Sequence, residues 1–221
     1  MEPTQIQAQV LEGCQRLAAK GFLHTPADSF SMRIPGCAEM IFASAHEDWQ
    51  RVGIADLETV SLLVEGGRRG LHASIYKERA DVGAVVISSP QGVRLLAHYG
   101  GLLPPLFDEQ VRHIGLSVEP LKDEDDVPAR LVRETFRRGT NAALLGEQLL
   151  CLGMTCERVL CNTELYEKCA QAYVIAKASG HSIRRIPEWV QLIANRRLIK
   201  DERRASASYH EGRVPEGINA Y

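Results

Sequence analysis

Residues 71–90 read LHASIYKERADVGAVVISSP, and the reading of this stretch decides the fold. Leu71 and Ile75 lie one turn apart, which predicts a short helix from Leu71 to Arg79. Asp81 breaks it. Val82 to Ile87 then run with almost no polar residue, the pattern of a strand covered on both faces. Ser89 stands where a helix N-cap belongs, and Pro90 at the first helical position. The strand therefore ends in two serines and a proline, at the point where an α/β protein usually keeps its chemistry.

Working outward, residues 4–20 carry Ile6, Val10, Leu11, Cys14, Leu17 and Ala18 at helical spacing, and Gly21 stops them. Strands are predicted at 28–33 and 39–44 around the Pro35-Gly36 turn, and at 60–64 before Gly66-Gly67. A helix at 90–99 follows the central strand, then a strand at 114–119 and an Arg-rich helix at 127–138. Two strands, 142–145 and 149–152, are joined by a turn at Gly146-Glu147-Gln148. Thr155 caps a long helix, 156–179, and a last helix covers 187–200. This order predicts a single α/β domain, residues 1–204, with one sheet and helices packed against it. Residues 205–221, polar with Gly and Pro, are expected to form an irregular tail, with Tyr221 able to reach a neighbouring subunit.

The chain has 221 residues, 45% of them hydrophobic, which is enough for one sizeable core. A formal charge of −2 creates no global field toward nucleic acid or an anionic membrane, and neither is expected as a partner. The charge is uneven: residues 122–126 (KDEDD) are acidic, and residues 184–204 hold seven cations. No run approaches the roughly 18–20 apolar residues of a membrane helix, and MEPTQIQAQ lacks the features of a signal peptide. A cytoplasmic location is expected, with the six cysteines as thiols.

Several chemistries lack their signatures. The sequence has no GxGxxG, no GxxxxGK[ST], no GxSxG and no HExxH, and its seven histidines are dispersed. None of the six cysteines forms a CxxC pair, and no Cys–His cluster has zinc-finger spacing.

The central run resembles the class II aldolase/adducin family. In that family a helix of the form LHxxIY and then xxRPDVxAVV lead into His-x-His at a strand end. Here the matching residues are Leu71-His72, Ile75-Tyr76, Arg79, Asp81-Val82 and Ala84-Val85-Val86. Ser31-Met32-Arg33 resembles the end of the family's Gly-Asn-x-Ser-x-Arg strand, and Asp56-Leu57 with Val60 and Leu62 its Asp-Leu-x-x-Val-x-Leu strand. Ala143 to Gly153 and the helix after it resemble the family's hairpin and last core helix. The resemblance spans residues 5–180. It implies a mixed sheet with helices on both faces, and a homo-oligomer, a tetramer, with active sites between subunits. It also implies Zn²⁺ on three histidines with a glutamate for acid/base work.

The chain departs from that pattern at each of these positions. His-x-His becomes Ile87-Ser88-Ser89, the hairpin histidine falls at Glu147, and the glutamate before His72 is Arg68. The phosphate-binding Ser-Ser is Gly66-Gly67, the asparagine of the first strand is Ser29, and the Thr-x-x-Gly loop reads Phe42-Ala43-Ser44-Ala45. Ile87 has no donor atom, and serine is a poor zinc ligand. The expectation is no metal and no other cofactor, with an Arg68–Glu147 ion pair filling the old site and Ser88 and Ser89 hydrogen-bonding beside it. Candidates at active-site positions are Arg68, Ser88, Ser89 and Glu147. Ser31, Arg33, Ser44, Arg68 and Ser88 are candidates for holding a small anionic ligand. His72 is expected to be a packed residue, and Ser89 has a sufficient reading as an N-cap. The function expected is a non-catalytic binding, regulatory or structural homo-oligomer. The alternative is a metal-independent carbon–carbon lyase acting on a small sugar or sugar phosphate, with Asp108-Glu109-Gln110 as a further candidate segment.

Overall fold

The computed structural model describes residues 2–44, 48–122, 127–180 and 182–217. Residues 123–126 of the acidic stretch, Ala45, and Tyr221 lie outside the described residues. The elements are α1 (Pro3–Ala19), β1 (Ser29–Arg33), β2 (Glu39–Ser44), β3 (Glu58–Ser61), α2 (Gly67–Glu78), β4 (Ala84–Ser88), α3 (Gln91–His98), α4 (Asp108–His113), α5 (Ala129–Thr135), β5 (Ala142–Leu145), β6 (Gln148–Gly153), α6 (Cys156–Ala178) and α7 (Glu188–His210). Among the described residues, no helix is long and apolar enough to cross a membrane.

The six strands form one sheet in the order β3-β2-β1-β4-β6-β5. β4 is central and is buried along its whole length, as its unbroken apolar run requires. Its odd-numbered residues Val85 and Ile87 pack with α2 and α5, through Leu71, Ile75, Val132 and Phe136. Ala84 and Val86 pack on the opposite face with α1, α3 and α6, through Ile6, Val10, Val93, Leu96 and Val159. Burying each large aliphatic side chain on these two faces contributes roughly 1.5–3 kcal/mol. Helices on both faces of one sheet match the expectation. The pairing is narrower than "mixed": every strand pair is antiparallel, and the one parallel contact described is an isolated bridge, Leu121 to Leu145.

Three elements depart from the sequence-based expectations. Residues 114–119 form no strand; Gly115 makes only an isolated bridge to Thr140. A helix, α4, occupies the polar segment 108–113. The last helix does not stop at 200 but runs to His210, so residues 205–210 are not part of an irregular tail. Its extension is held by packing. Ala205 and Tyr209 are buried, and the Tyr209 hydroxyl donates to the Met154 carbonyl at 2.8 Å. Gly83 makes room for this contact, since a Cβ there would lie 1.8 Å from the Tyr209 hydroxyl oxygen and 2.5 Å from the Met154 carbonyl oxygen.

α7 is also fastened by charge. Arg79, at the end of α2, is 4% exposed and forms a two-pronged pair with Asp81, Nε to Oδ1 at 2.8 Å and Nη2 to Oδ2 at 2.7 Å. Its Nη2 also reaches Glu202 of α7 at 3.1 Å, and the other Glu202 oxygen accepts from the Gly139 amide at 2.8 Å. The Arg79–Asp81 match that marks the resemblance is thus a structural clamp.

Candidate functional site

The C-terminal end of β4 meets the start of β6 and the loop before β1, and the residues there close on one another. Asp28 is fully buried. Its Oδ2 accepts from the backbone amides of His24 at 2.8 Å and Thr25 at 2.7 Å. Its Oδ1 accepts from the Ser89 hydroxyl at 2.6 Å and from Gln148 Nε2 at 3.0 Å. Gln148 Nε2 also lies 3.1 Å from Ser89 Oγ, and Gln148 Oε1 accepts from Arg68 Nη2 at 2.6 Å. Asp28, Ser89, Gln148 and Arg68 are therefore one hydrogen-bonded chain.

The expected Arg68–Glu147 pair is replaced by Arg68–Gln148. The turn between β5 and β6 is Gly146-Glu147, and Gln148 is the first residue of β6. Side chains alternate along a strand, so Gln148 points to the same face as Leu150 and Leu152, toward α2. Glu147, in the turn, is exposed. Ser89 likewise has a different role from the one expected. The N-cap of α3 is Pro90, and the Ser89 hydroxyl is spent on Asp28 while its amide donates to the Phe22 carbonyl.

Beside this chain lies a second polar group on the α2 face. His72 is fully buried, with Ser29 Oγ 2.9 Å from Nε2 and Ser31 Oγ 2.7 Å from Nδ1. Ser31 Oγ also meets the Tyr76 hydroxyl at 2.8 Å, and the Phe42 ring stands edge-on to the imidazole at 5.2 Å. The ring's two nitrogens are thus both engaged, one donating and one accepting in the neutral form. Burial, and then the nearby Arg68 charge, push the His72 pKa down to about 3. An imidazole so placed is a packed residue, as expected, and a poor proton acceptor near neutral pH.

The His72 shift has a consequence for acid stability. The neutral ring fits the fold, while the unfolded chain protonates near the ordinary value of 6.5. This contribution is intact above pH 6.5 and is lost as pH falls from 6.5 toward 3. At pH 5 the loss amounts to about 2 kcal/mol. His113, whose pKa is lowered to about 4 by burial and by Arg158, acts in the same direction. Urea unfolding at pH 7 and pH 5 measures the sum. His72→Gln is expected to be less stable at pH 7 and to lose less on acidification; an equal loss in both proteins would contradict the assignment.

The other sequence candidates are dispersed. Arg33 caps the end of α2, donating to the carbonyls of Tyr76 at 2.5 Å, Arg79 at 3.2 Å and Ala80 at 3.2 Å. It lies over the Tyr76 and Tyr209 rings and does not join Arg68. Ser88 shares its strand side with Ala84 and Val86, facing the α1/α3/α6 core. Its hydroxyl is buried with no hydrogen-bond partner among the described residues. Ser44 ends β2 opposite Ser29 and is half-buried. Gln110 bonds the Pro104 carbonyl and the Leu106 amide, and Asp108 and Glu109 are exposed. The site residues that sequence reasoning misses are Asp28 and Gln148. Asp28 precedes Ser29, where the family strand has its glycine, so a departure is visible there. Gln148 reads as part of the turn and not of the strand.

As a donor set, the strand end presents one carboxylate with both oxygens already engaged, a hydroxyl, an amide and a guanidinium. Ile87, the first position of the family's His-x-His, contributes only carbon. Among the described residues no group of three or more His, Cys, Asp or Glu side chains is placed to hold a metal ion.

Comparison with known proteins gives a consistent relationship. Residues 8–174 match the family described as "Class II Aldolase and Adducin N-terminal domain". No curated protein sequence matches the chain. Among solved structures, an L-fuculose 1-phosphate aldolase superposes with a TM-score of 0.74 at 19% identity, over 89% of this chain and 97% of that one. The L-fuculose-1-phosphate aldolase from Thermus thermophilus gives 0.68 at 21% identity, over 82% and 100%. An aldolase II superfamily protein from Pseudomonas syringae gives 0.69 at 16%, over 90% and 86%. At these identities the likeness to the solved structures establishes the fold.

Proposed function

The chain belongs to the class II aldolase and adducin family, and from that premise we propose that it is a member without the family's zinc chemistry. It acts as a non-catalytic, homo-oligomeric binding, regulatory or structural protein, tetrameric as the family implies. The observation that carries this reading is the Asp28–Ser89–Gln148–Arg68 chain at the strand end. Zinc sites are built from neutral imidazole, thiolate and carboxylate. Here the hydroxyl and amide are weak ligands, the carboxylate is saturated, and a guanidinium stands in contact with the amide. A dication entering would lose these bonds and meet the Arg68 charge. The residues present do not fit the metal.

Acid/base chemistry is equally ill served. The neutral, doubly hydrogen-bonded His72 offers no free lone pair. What the site retains is a half-buried cation, Arg68, beside the glycine turn before α2 and hydrogen-bonded to Gln148.

Retro-aldol cleavage of L-fuculose 1-phosphate, with and without added Zn²⁺, tests the proposal on the full chain. The expected rate is that of the buffer alone. Turnover that depends on added metal would overturn the reading, and metal-independent turnover would favour the alternative, a metal-independent carbon–carbon lyase. Light scattering on the same protein is expected to give four chain masses.

A further inference from the structure

At the start of β4, the other end of the strand from the Asp28 cluster, the turn 79–81 faces the end of α5 and the last turns of α7 across an open cleft of about 340 Å³. About 13 Å of strand separates the two places. Ala80 and Phe136 give the cleft its apolar part. The rest is polar: Arg79, Arg133, Arg137 and Arg138 stand against two carboxylates, Glu78 and Asp81, with Ser206 and His210 on the α7 wall.

The acids are already committed. Arg133 holds both oxygens of Glu78, Nε to Oε2 at 2.7 Å and Nη2 to Oε1 at 2.8 Å. Arg79 holds Asp81, and it also holds Glu202, which lies behind the cleft wall. Glu134 of α5 pairs with Arg130 at 2.8 Å, and Arg137 adds a weaker pull on it without pairing. Arg137 and Arg138 are exposed and form no ion pair among the described residues. Ser206 is an independent sign. It is only 7% exposed, it lines the cleft, and its hydroxyl makes no hydrogen bond among the described residues. Buried hydroxyls ordinarily have a partner, and the open side from which one can come is the cleft. His210, one turn further on, puts an imidazole on the same wall.

We infer that this cleft binds a small polar molecule through a phosphomonoester, whose oxygens are taken by Arg137, Arg138 and Ser206. Charge, size and lining select this occupant. Two uncommitted guanidinium forks match the near-dianionic charge and the several acceptor oxygens of a phosphomonoester. The volume lies at the lower end of the roughly 300–1,000 Å³ of small-molecule sites, which leaves room for the phosphate and a short body. The polar lining gives an apolar body nothing to pack against, and a formal charge of −2 creates no field along which a nucleic-acid backbone would be drawn. The cleft shares no residue with the strand end, so its occupancy is independent of the zinc question.

Isothermal titration of the full chain at about pH 7.5 with glycerol 3-phosphate, glycerol and acetate is the test. Glycerol 3-phosphate is expected to bind once per chain with a Kd of about 1 mM or below. Acetate, a monoanion with two oxygens, is expected to bind at least about tenfold more weakly, and glycerol not at all. R137Q/R138Q is expected to weaken binding at least about tenfold, and S206A about three- to tenfold. Arg137 and Arg138 are exposed, so circular dichroism should show an unchanged fold. Absence of saturable binding, acetate bound as tightly as glycerol 3-phosphate, or wild-type affinity in R137Q/R138Q overturns the inference. Binding lost in R68Q and kept in R137Q/R138Q would place the anion at the strand end, and also overturns it. A single-stranded RNA that blocks the probe and loses affinity in R137Q/R138Q would assign the cleft to nucleic acid, with the same result.

Discussion

Replacing Arg79 by alanine is expected to cost the fold about 3–5 kcal/mol, the cost of removing one partner from a buried charge network. The reason lies in what the guanidinium holds. Besides Asp81 and Glu202, its Nη2 reaches Asn141 Oδ1 at 2.8 Å. Its Nη1 donates to the carbonyls of Phe136 at 3.1 Å, Arg137 at 3.2 Å and Thr140 at 2.9 Å. Alanine would leave Asp81, 1% exposed, and Glu202, fully buried, as two like charges with no cation between them. It would also remove a donor from three carbonyls of the segment between α5 and β5, of which Arg137 keeps the Thr140 amide. Small domains carry about 5–15 kcal/mol in total, so a large share would go. Arg79→Lys keeps the charge but not the planar fork, and should recover only part. Urea unfolding reads both. A loss under about 1 kcal/mol for Arg79→Ala would show that the network is not what holds α7.

Asp28→Ala is expected to be the second costly change, at about 2–4 kcal/mol. Asp28 accepts four hydrogen bonds, and its loss strands two part-buried backbone amides as well as the buried Ser89 hydroxyl and Gln148 amide. Asp28→Asn should cost less, because one oxygen remains to accept from the His24 and Thr25 amides. The distinctive readout is coupling. In a double-mutant cycle with Gln148→Ala, the pair should differ from additivity by about 0.5–3 kcal/mol. Strict additivity would mean that the strand-end residues are neighbours and not one cluster.

The stretch Leu71–Pro90 is legible because its signals agree with one another. An apolar run with no alternation can only be buried on both faces, and β4 is. Leu71 and Ile75 do pack on that strand from one side. The residues that match the family's Leu-His, Ile-Tyr and Arg-x-Asp have separate structural duties: packing on β4, hydrogen-bonding around His72, and clamping α7.

What is not legible has physical causes. Period-two patterning says which face a side chain takes but nothing about the direction of a neighbouring strand, so it could not correct the mixed sheet that the resemblance implies to the antiparallel one that forms. At the hairpin, a difference of one residue in where β6 begins changes which side chain points inward. The motif places Glu147 in the site, and Gln148 is the residue that points there. The helical spacing of Glu202, Ala205 and Tyr209 continues the buried face of α7. It is hidden by their mixed polarity, since a buried glutamate reads as a surface residue until Arg79, 123 positions away, is placed against it. Asp28 is hidden for a related reason: its partners come from separate segments of the chain.

Isothermal titration of the metal-stripped, full-length protein with Zn²⁺ at about pH 7.5, followed by elemental analysis after dialysis, tests the central claim most directly. Replacement of the metal site by the Asp28–Ser89–Gln148–Arg68 chain predicts no tight binding and far less than one zinc per chain. One equivalent of zinc retained per chain, lost on Ser89→Ala or Asp28→Ala, would contradict it.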